Sequence, residues 1–255
     1  MSDRQYHLQL EPGDVGPYVL LPGDPGRCEL IASRLEGARR LAANREYTTY
    51  TGSLDGTEVS VTSTGIGGPS TAIAVEELVK LGARTLVRVG TCGALAPELG
   101  YGDVVVVQAA ARAEGTSAHY APLGFPAIAD LDVVVALRAG AADRGHACRV
   151  GVVLSNDAFY AEMEPESFPR ETEIRARWRV WARAGCLAAE MECATLLTVA
   201  AVRGVRAGAV LAVIDHPASG IEGMPDARRL PLVPAIDTAL AGLRRLIAAE
   251  AAGPG

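Results

Sequence analysis

The stretch Thr85-Leu-Val-Arg-Val-Gly-Thr-Cys-Gly-Ala-Leu95 decides how the rest of the chain is read. An apolar run ends in Gly90-Thr-Cys-Gly93, the pattern of a buried strand breaking into a glycine-rich loop. The loop's glycines let backbone N–H groups come close to a bound group. Arg88 is out of place in such a run, because desolvating a lone guanidinium costs several kcal/mol. Two readings compete. Arg88 forms a structural ion pair with a nearby carboxylate, or it belongs to an anion site. In the second case it is a fork for oxoanions, with the Thr91 hydroxyl and the loop N–H groups around them.

Upstream, Val59 to Thr64 alternates apolar and hydroxyl residues, a half-buried strand. Gly65-Ile-Gly-Gly-Pro-Ser70 then opens a helix with apolar positions Ile73, Val75, Leu78, Val79 and Leu81, stopped by Gly82. A strand–helix–strand unit with two glycine loops predicts an α/β sheet with ligands at the strand ends. Tyr18 to Pro22 is another short strand, closed by Gly23-Asp-Pro-Gly-Arg27 and followed by a helix through Cys28, Leu30, Ile31 and Leu35. That layout suits an anion site at a helix N-terminus. It equally suits an ordinary turn with a solvated Arg27. Arg45 to Gly52 is β-branched and aromatic, a strand, and Asp55-Gly56 marks a hairpin. Residues 1–17 read as an arm or short edge strand.

Downstream, Val104–Val107 is a buried strand, and residues 114–130 form a long loop around His119, Tyr120, Phe125 and Pro126. A helix over 131–144 precedes a strand from Arg149 to Leu154, which ends at Ser155-Asn-Asp157. Phe159-Tyr160 leads into an irregular acidic segment from Glu162 to Pro169, then an amphipathic helix over 172–184 carrying Trp178 and Trp181. Cys193, Leu196, Leu197, Ala200 and Ala201 share one face of the next helix. Glu190 and Glu192 fall at its start. There they complement the helix dipole, or they grip adjacent hydroxyls, as on a sugar. Ala209–Ile214 is the last core strand, ending at Asp215-His216; a final helix runs from Asp226 to about Ala251, and residues 251–255 fray.

With 255 residues, 49% apolar and 21% charged, the chain is expected to form a single domain over 1–255 with a sizeable core. A net charge of −6 without a basic block argues against nucleic acid as partner. No apolar run reaches membrane-spanning length and the N-terminus lacks a signal-peptide core, so the expectation is a cytoplasmic protein with no membrane partner. Five scattered cysteines without Cys-x-x-Cys spacing read as reduced thiols.

Taken in order, these motifs resemble the nucleoside phosphorylase family, above all bacterial uridine phosphorylases. The resemblance spans nearly the whole chain. It rests on residues 21–27, Arg45-Glu-Tyr47, residues 63–71, Val87 to Gly93, His119 with residues 121–126, Asp157 with Phe159-Tyr160, and Glu190-Met-Glu192. It implies a central twisted mixed sheet flanked by helices, and a hexamer built as a trimer of dimers. It implies phosphorolysis of a nucleoside to free base and pentose 1-phosphate, with inorganic phosphate as co-substrate and no required cofactor. By resemblance Gly23, Arg27, Arg88 and Thr91 hold phosphate, with Arg45 reaching in from a neighbour. Glu192 and Met191 hold the ribose, and a neighbour's His7 meets the 5′-hydroxyl. Phe159 packs on the base, beside Thr91 and Gly93. Glu46, Ile66 and Ser70 match a potassium site between subunits. Arg88, Glu192 and Asp215 are the expected catalytic residues.

Two positions depart from the uridine pattern. Ala161-Glu-Met-Glu-Pro165 lacks the Gln and Arg that read uracil, which leaves Glu162 at the base edge. The last strand ends in Asp215-His216, where a purine phosphorylase has an Asp that is thought to protonate N7. Arg228 is spaced like the Arg that assists that Asp, and also like a solvated helix residue. Uridine is the leading substrate and a purine nucleoside the alternative. A nucleosidase using water and a non-catalytic nucleoside-binding protein are the rivals.

Overall fold

In the computed structural model, which describes residues 3–215 and 231–253, the run around Arg88 is a strand on which the sheet branches. This strand, β5 (Thr85–Ala94), pairs in parallel with β1 (Tyr18–Leu21) over Thr85–Arg88 and with β10 (Arg206–Asp215) along its other side. Near its end, Gly93 and Ala94 pair antiparallel with β9 (Ala188–Glu190). From β1 the sheet continues through β4 (Thr57–Thr62) and β3 (Tyr47–Leu54) to β2 (Glu36–Asn44). From β9 it continues through β8 (Cys148–Asn156) to β6 (Val104–Ala113), which pairs antiparallel with β10. Five strands therefore close into a ring, and β7 (Ala127–Ile128) adds to β6. Val104–Val107 and Val210–Val213 are fully buried, as continuous apolar runs in a covered sheet should be.

Helices cover this mixed sheet: α1 (Pro25–Ala32), α2 (Gly68–Lys80), α3 (Leu131–Asp143), α4 (Phe159–Met163), α5 (Glu171–Arg183), α6 (Cys193–Arg203) and α7 (Val233–Ala251). α2 packs on α6 and α3 on α7. The twisted α/β architecture is the one the glycine loops and their flanking strands and helices imply. No helix among the described residues is long and apolar enough to cross a membrane.

Several local expectations need correction. Residues 3–17 form no strand; Leu8 and Leu10 bury their side chains while Glu77 of α2 holds the backbone. The exposed strand β2 and the short helix α4 were not expected. β6 continues to Ala113, and the long loop after it contains a 3-10 turn at Ser117–His119. The Arg112 guanidinium pins that loop by donating to Ser117 Oγ, Pro122 O, Phe125 O and Ala121 O at 2.6–2.8 Å. Glu190 ends β9 instead of starting α6. α7 begins at Val233; Pro231 and Leu232 precede it outside the helix, which agrees with proline's intolerance of helix interiors. The expected start at Asp226, like His216 and Arg228, lies outside the described residues.

Candidate active site

Arg88 sits opposite Leu21 of β1 and Ala209 of β10, with only 5% of its surface exposed. Its Nη2 pairs with Glu192, and its Nε lies 3.2 Å from Glu190 Oε2 without hydrogen-bond alignment. Nη1 has no acceptor among the described residues. A Cβ built on Gly23 would lie 3.9 Å from that Nη1 and 3.3 Å from Gly65 O. The Gly23 turn is tied to the second glycine loop by Gly65 N donating to Gly23 O at 3.0 Å. At Gly90 a side chain is excluded, since its Cβ would stand 2.9 Å from the Arg88 guanidinium. The structural ion pair is thus present on two nitrogens, and the third is left beside the Gly23 turn. Burial works against the Arg88 charge, but Glu192 and Glu190 outweigh it and hold the guanidinium above its ordinary value.

Arg27 is not solvated. Its side chain is 17% exposed, and Asp24 Oδ2 lies 3.8 Å away. Asp24 also caps α1 by accepting from Gly26 N at 2.8 Å, with Pro25 in the first turn. Burial, and then the nearby Arg88, pull Arg27 below the usual guanidinium value, while Asp24 and Glu192 oppose the shift.

The two glutamates divide their tasks. Glu190 accepts from Glu192 N and Cys193 N at 2.9 Å and from Ser155 Oγ at 2.5 Å; Ser155 Oγ accepts from Ala194 N at 2.9 Å. It is the charge placed at the start of α6. Glu192 makes no such cap. Its carboxylate accepts from Gly67 N at 2.6 Å and pairs with Arg88. Burial pushes the Glu192 carboxyl up; Arg88 pulls it down, Glu190 adds to the rise, and N–H donors from Gly67 and Met191 oppose it.

At the ends of β5 and β10 a register shift sets Asp215 opposite Gly93. A Cβ built on Gly93 would lie 3.8 Å from Asp215 Oδ2. Thr91, half-buried, pairs with Ala212 two positions earlier. Phe159 opens α4, partly exposed, with its ring edge-on to Tyr160 at 5.4 Å. Asp157 ties this segment to the loop after β6 by accepting from Gly115 N at 2.8 Å. Glu162 does not stand free at a base edge. It is buried, with one carboxylate oxygen on the Arg177 guanidinium and the other on the Trp178 indole, so it fastens α4 to α5. The physical reason is that a carboxylate turned inward needs donors, and α5 presents two.

His7, Arg45, Glu46, Ile66 and Ser70 have no hydrogen bond or ion pair to Arg88, Glu190 or Glu192 within the chain. Arg45 is exposed, at φ 55° in the turn between β2 and β3, and makes no hydrogen bond or ion pair among the described residues. Ser70 Oγ donates to Ile66 O at 3.1 Å, and the Glu46 side chain packs where Gly65, at φ 71°, has no Cβ. Glu46 lies in the turn before β3, Ile66 in the loop before α2 and Ser70 in the first turn of α2; a hard cation that takes about six or more oxygens would need others besides them.

Sequence reasoning missed Glu77, Ser155 and Gly67 as supports, and also the buried Glu114, which accepts from Ser117 N and Thr195 Oγ1 at 3.0 Å. Glu77 carried a signal, since it flanks the apolar stripe of α2 between Ala74 and Leu78. Ser155 and Gly67 act through contacts that no local pattern encodes.

The model of a known family, described as the Phosphorylase superfamily, matches residues 17–234. A uridine phosphorylase of Treponema pallidum is 45% identical over 246 residues, covering 96% of this chain and 95% of the relative. The uridine phosphorylase of Escherichia coli is 45% identical over 82% of this chain and 85% of its own. A guanosine phosphorylase of Halorubrum lacusprofundi is 42% identical over 85% of this chain and 86% of its own.

Proposed function

Because the chain belongs to the phosphorylase superfamily, we propose that it cleaves uridine with inorganic phosphate to give uracil and ribose 1-phosphate. Nucleoside phosphorolysis makes it a pentosyltransferase. The observation that carries the reading is the buried Arg88, charged, held by two carboxylates and left with Nη1 beside the Gly23 turn.

Phosphate is bound there by Arg88, Arg27, Thr91 and the Gly23 backbone, with Arg45 of the partner subunit completing the set. The bond from C1′ to the base nitrogen breaks, and its electron pair leaves with the base. A phosphate oxygen bonds to C1′, and the base takes up a proton. Positive charge grows on the sugar ring as the bond stretches, and the phosphate dianion beneath C1′ both stabilises it and attacks. Arginines aligning that dianion act by positioning and by fixed electrostatics. Glu192 and Met191 grip the ribose hydroxyls, His7 of the partner subunit meets the 5′-hydroxyl, and Phe159 covers the base. Thr91, Gly93 and Asp215 line its edge.

The assembly is a hexamer built as a trimer of dimers in this reading, and Glu46, Ile66 and Ser70 supply half of an intersubunit potassium site. A cytoplasmic location is supported by five free cysteines. A purine nucleoside is the second reading, favoured by Asp215 beside Gly93 and by the engagement of Glu162 with α5. The deciding experiment incubates uridine, guanosine, inosine and adenosine with phosphate. Uracil with ribose 1-phosphate supports the proposal, and purine release alone replaces it with the second reading. Free ribose would make the protein a nucleosidase. Tight binding without turnover would make it a nucleoside-binding protein.

A further inference from the structure

The N-terminal arm is docked through one buried carboxylate. Glu77, 6% exposed on α2, accepts from His7 N at 3.1 Å, from Leu8 N at 2.8 Å and stands 2.7 Å from His7 Nδ1. The other side of the residue is also held, because Asn44 Nδ2 donates to His7 O at 2.7 Å. The imidazole lies edge-on to Tyr6 at 4.8 Å and to Tyr47 at 6.4 Å, and Tyr47 is anchored by its hydroxyl on Ser70 O at 3.0 Å. About a quarter of the His7 side chain (27%) stays exposed.

We propose that Glu77 is the positioning residue for His7, holding it as the tautomer whose Nε2 accepts a hydrogen bond from the sugar 5′-hydroxyl in the partner subunit's site. The inference rests on the phosphorolysis reading above. A carboxylate has only acceptor sites, so the hydrogen between it and the ring belongs to Nδ1. In the neutral imidazole the remaining nitrogen, Nε2, is then an acceptor. Docking the arm would need only the two backbone N–H bonds; the bond to Nδ1 orients the ring. An acceptor at Nε2 matches a free 5′-hydroxyl, which can donate. A 5′-deoxy sugar offers no hydrogen, and a 5′-phosphate dianion offers acceptors and charge. Glu77 therefore selects, through His7, for nucleosides with an unmodified 5′-hydroxyl.

Two measurements test this on the intact oligomer. Nitrogen-15 NMR of histidine-labelled enzyme, with His7 assigned from a His7→Asn variant, should show Nδ1 protonated and Nε2 bare. Protonation at Nε2 with Nδ1 bare overturns the proposal, whether or not any variant folds. Glu77→Gln places an amide donor against Nδ1 and favours the opposite tautomer. KM for uridine should rise about three- to tenfold with kcat kept, the range of one neutral hydrogen bond. The constants for 5′-deoxyuridine should stay unchanged. An equal loss on both substrates, or none on either, refutes the selection role while leaving phosphorolysis intact. A wild-type enzyme that releases no base from any nucleoside with phosphate overturns the parent reading, and this one with it.

Discussion

Replacing Arg88 with alanine tests the centre of the site in two independent ways. The side chain is buried and stands between Glu190 and Glu192, so truncation leaves two buried carboxylates without their cation. Breaking a buried pair from one side costs about 3–5 kcal/mol. The deficit should depend on pH. Arg88 is the main influence pulling the Glu192 carboxyl down against burial, so its removal raises that folded-state pKa further above the unfolded value of about 4.3. Folded Arg88→Ala then binds more protons than the unfolded chain above that value, and stability falls as pH rises through the window, by up to about 1.4 kcal/mol per pH unit. Urea unfolding at fixed subunit concentration should therefore show a larger loss at pH 8 than at pH 5. Phosphate kinetics supply the second readout. KM for phosphate should rise and kcat fall, because a charge-assisted contact to the nucleophile is gone. Arg88→Lys should recover part of the stability but little of the phosphate affinity, since an ammonium cannot fork across both carboxylates and an oxoanion. Wild-type stability at pH 8 would refute the ion-pair argument. An unchanged phosphate dependence would leave Arg88 as a structural pair and nothing more.

Three further outcomes are expected. Arg45→Ala should raise KM for phosphate, and oligomers mixed with a site-dead Arg88→Ala chain should regain activity, because each supplies what the other lacks; no regain would place Arg45 outside the site. The acid limb of kcat/KM at saturating phosphate should lie above the ordinary glutamate value of about 4.3, since Glu192 must be ionised to grip hydroxyls and its carboxyl is pushed up. Glu190→Gln removes one cause of that rise and should move the limb downward; a limb that stays belongs to another group. Asp215→Asn should cut any purine nucleoside turnover by about 10²–10⁴-fold, the usual weight of acid–base catalysis, while leaving uridine turnover equal or improved. A collapse of uridine turnover instead would make Asp215 part of a pyrimidine pocket.

The sheet was legible wherever strands are buried on both faces. β5, β6 and β10 announce themselves as apolar runs, and α2 and α6 by their stripes. β2 does not, because Glu36-Gly-Ala-Arg-Arg-Leu-Ala-Ala-Asn44 is mostly exposed and poor in β-formers. Its strand character comes from pairing with β3, a tertiary effect that outweighs local preference. The burial of the arm was hidden for the opposite reason: Leu8 and Leu10 are core residues in a segment too irregular to show a period. At the site, sequence spacing placed Glu190 and Glu192 together but could not tell cap from ligand. Only Ser155 and Gly67, from distant segments, separate the two roles. Glu162 was misread because its donors, Arg177 and Trp178, lie a helix away.

The charge balance at Arg88 bears on why the site should be shared between subunits. Within one chain Arg88 meets the carboxylates of Glu190 and Glu192, and Arg27 those of Asp24 and Glu192, so the cluster carries no excess positive charge. Glu190 cannot be given up, because it caps α6 and takes the Ser155 hydroxyl. Glu192 cannot be given up if the ribose is to be held. A phosphate dianion brought to this pocket meets oriented donors but little net attraction. Arg45 is a cation with no hydrogen bond or ion pair among the described residues, so it is available to tip that balance, and it stands exposed at a turn, off its own chain's Arg88 cluster. A left-handed backbone at Arg45 costs strain in a non-glycine residue, and it sits in the turn that joins β2 to β3. The geometry is that of a side chain offered outward. On this argument phosphate affinity depends on assembly, and the mixed-oligomer experiment with Arg45→Ala measures that dependence directly.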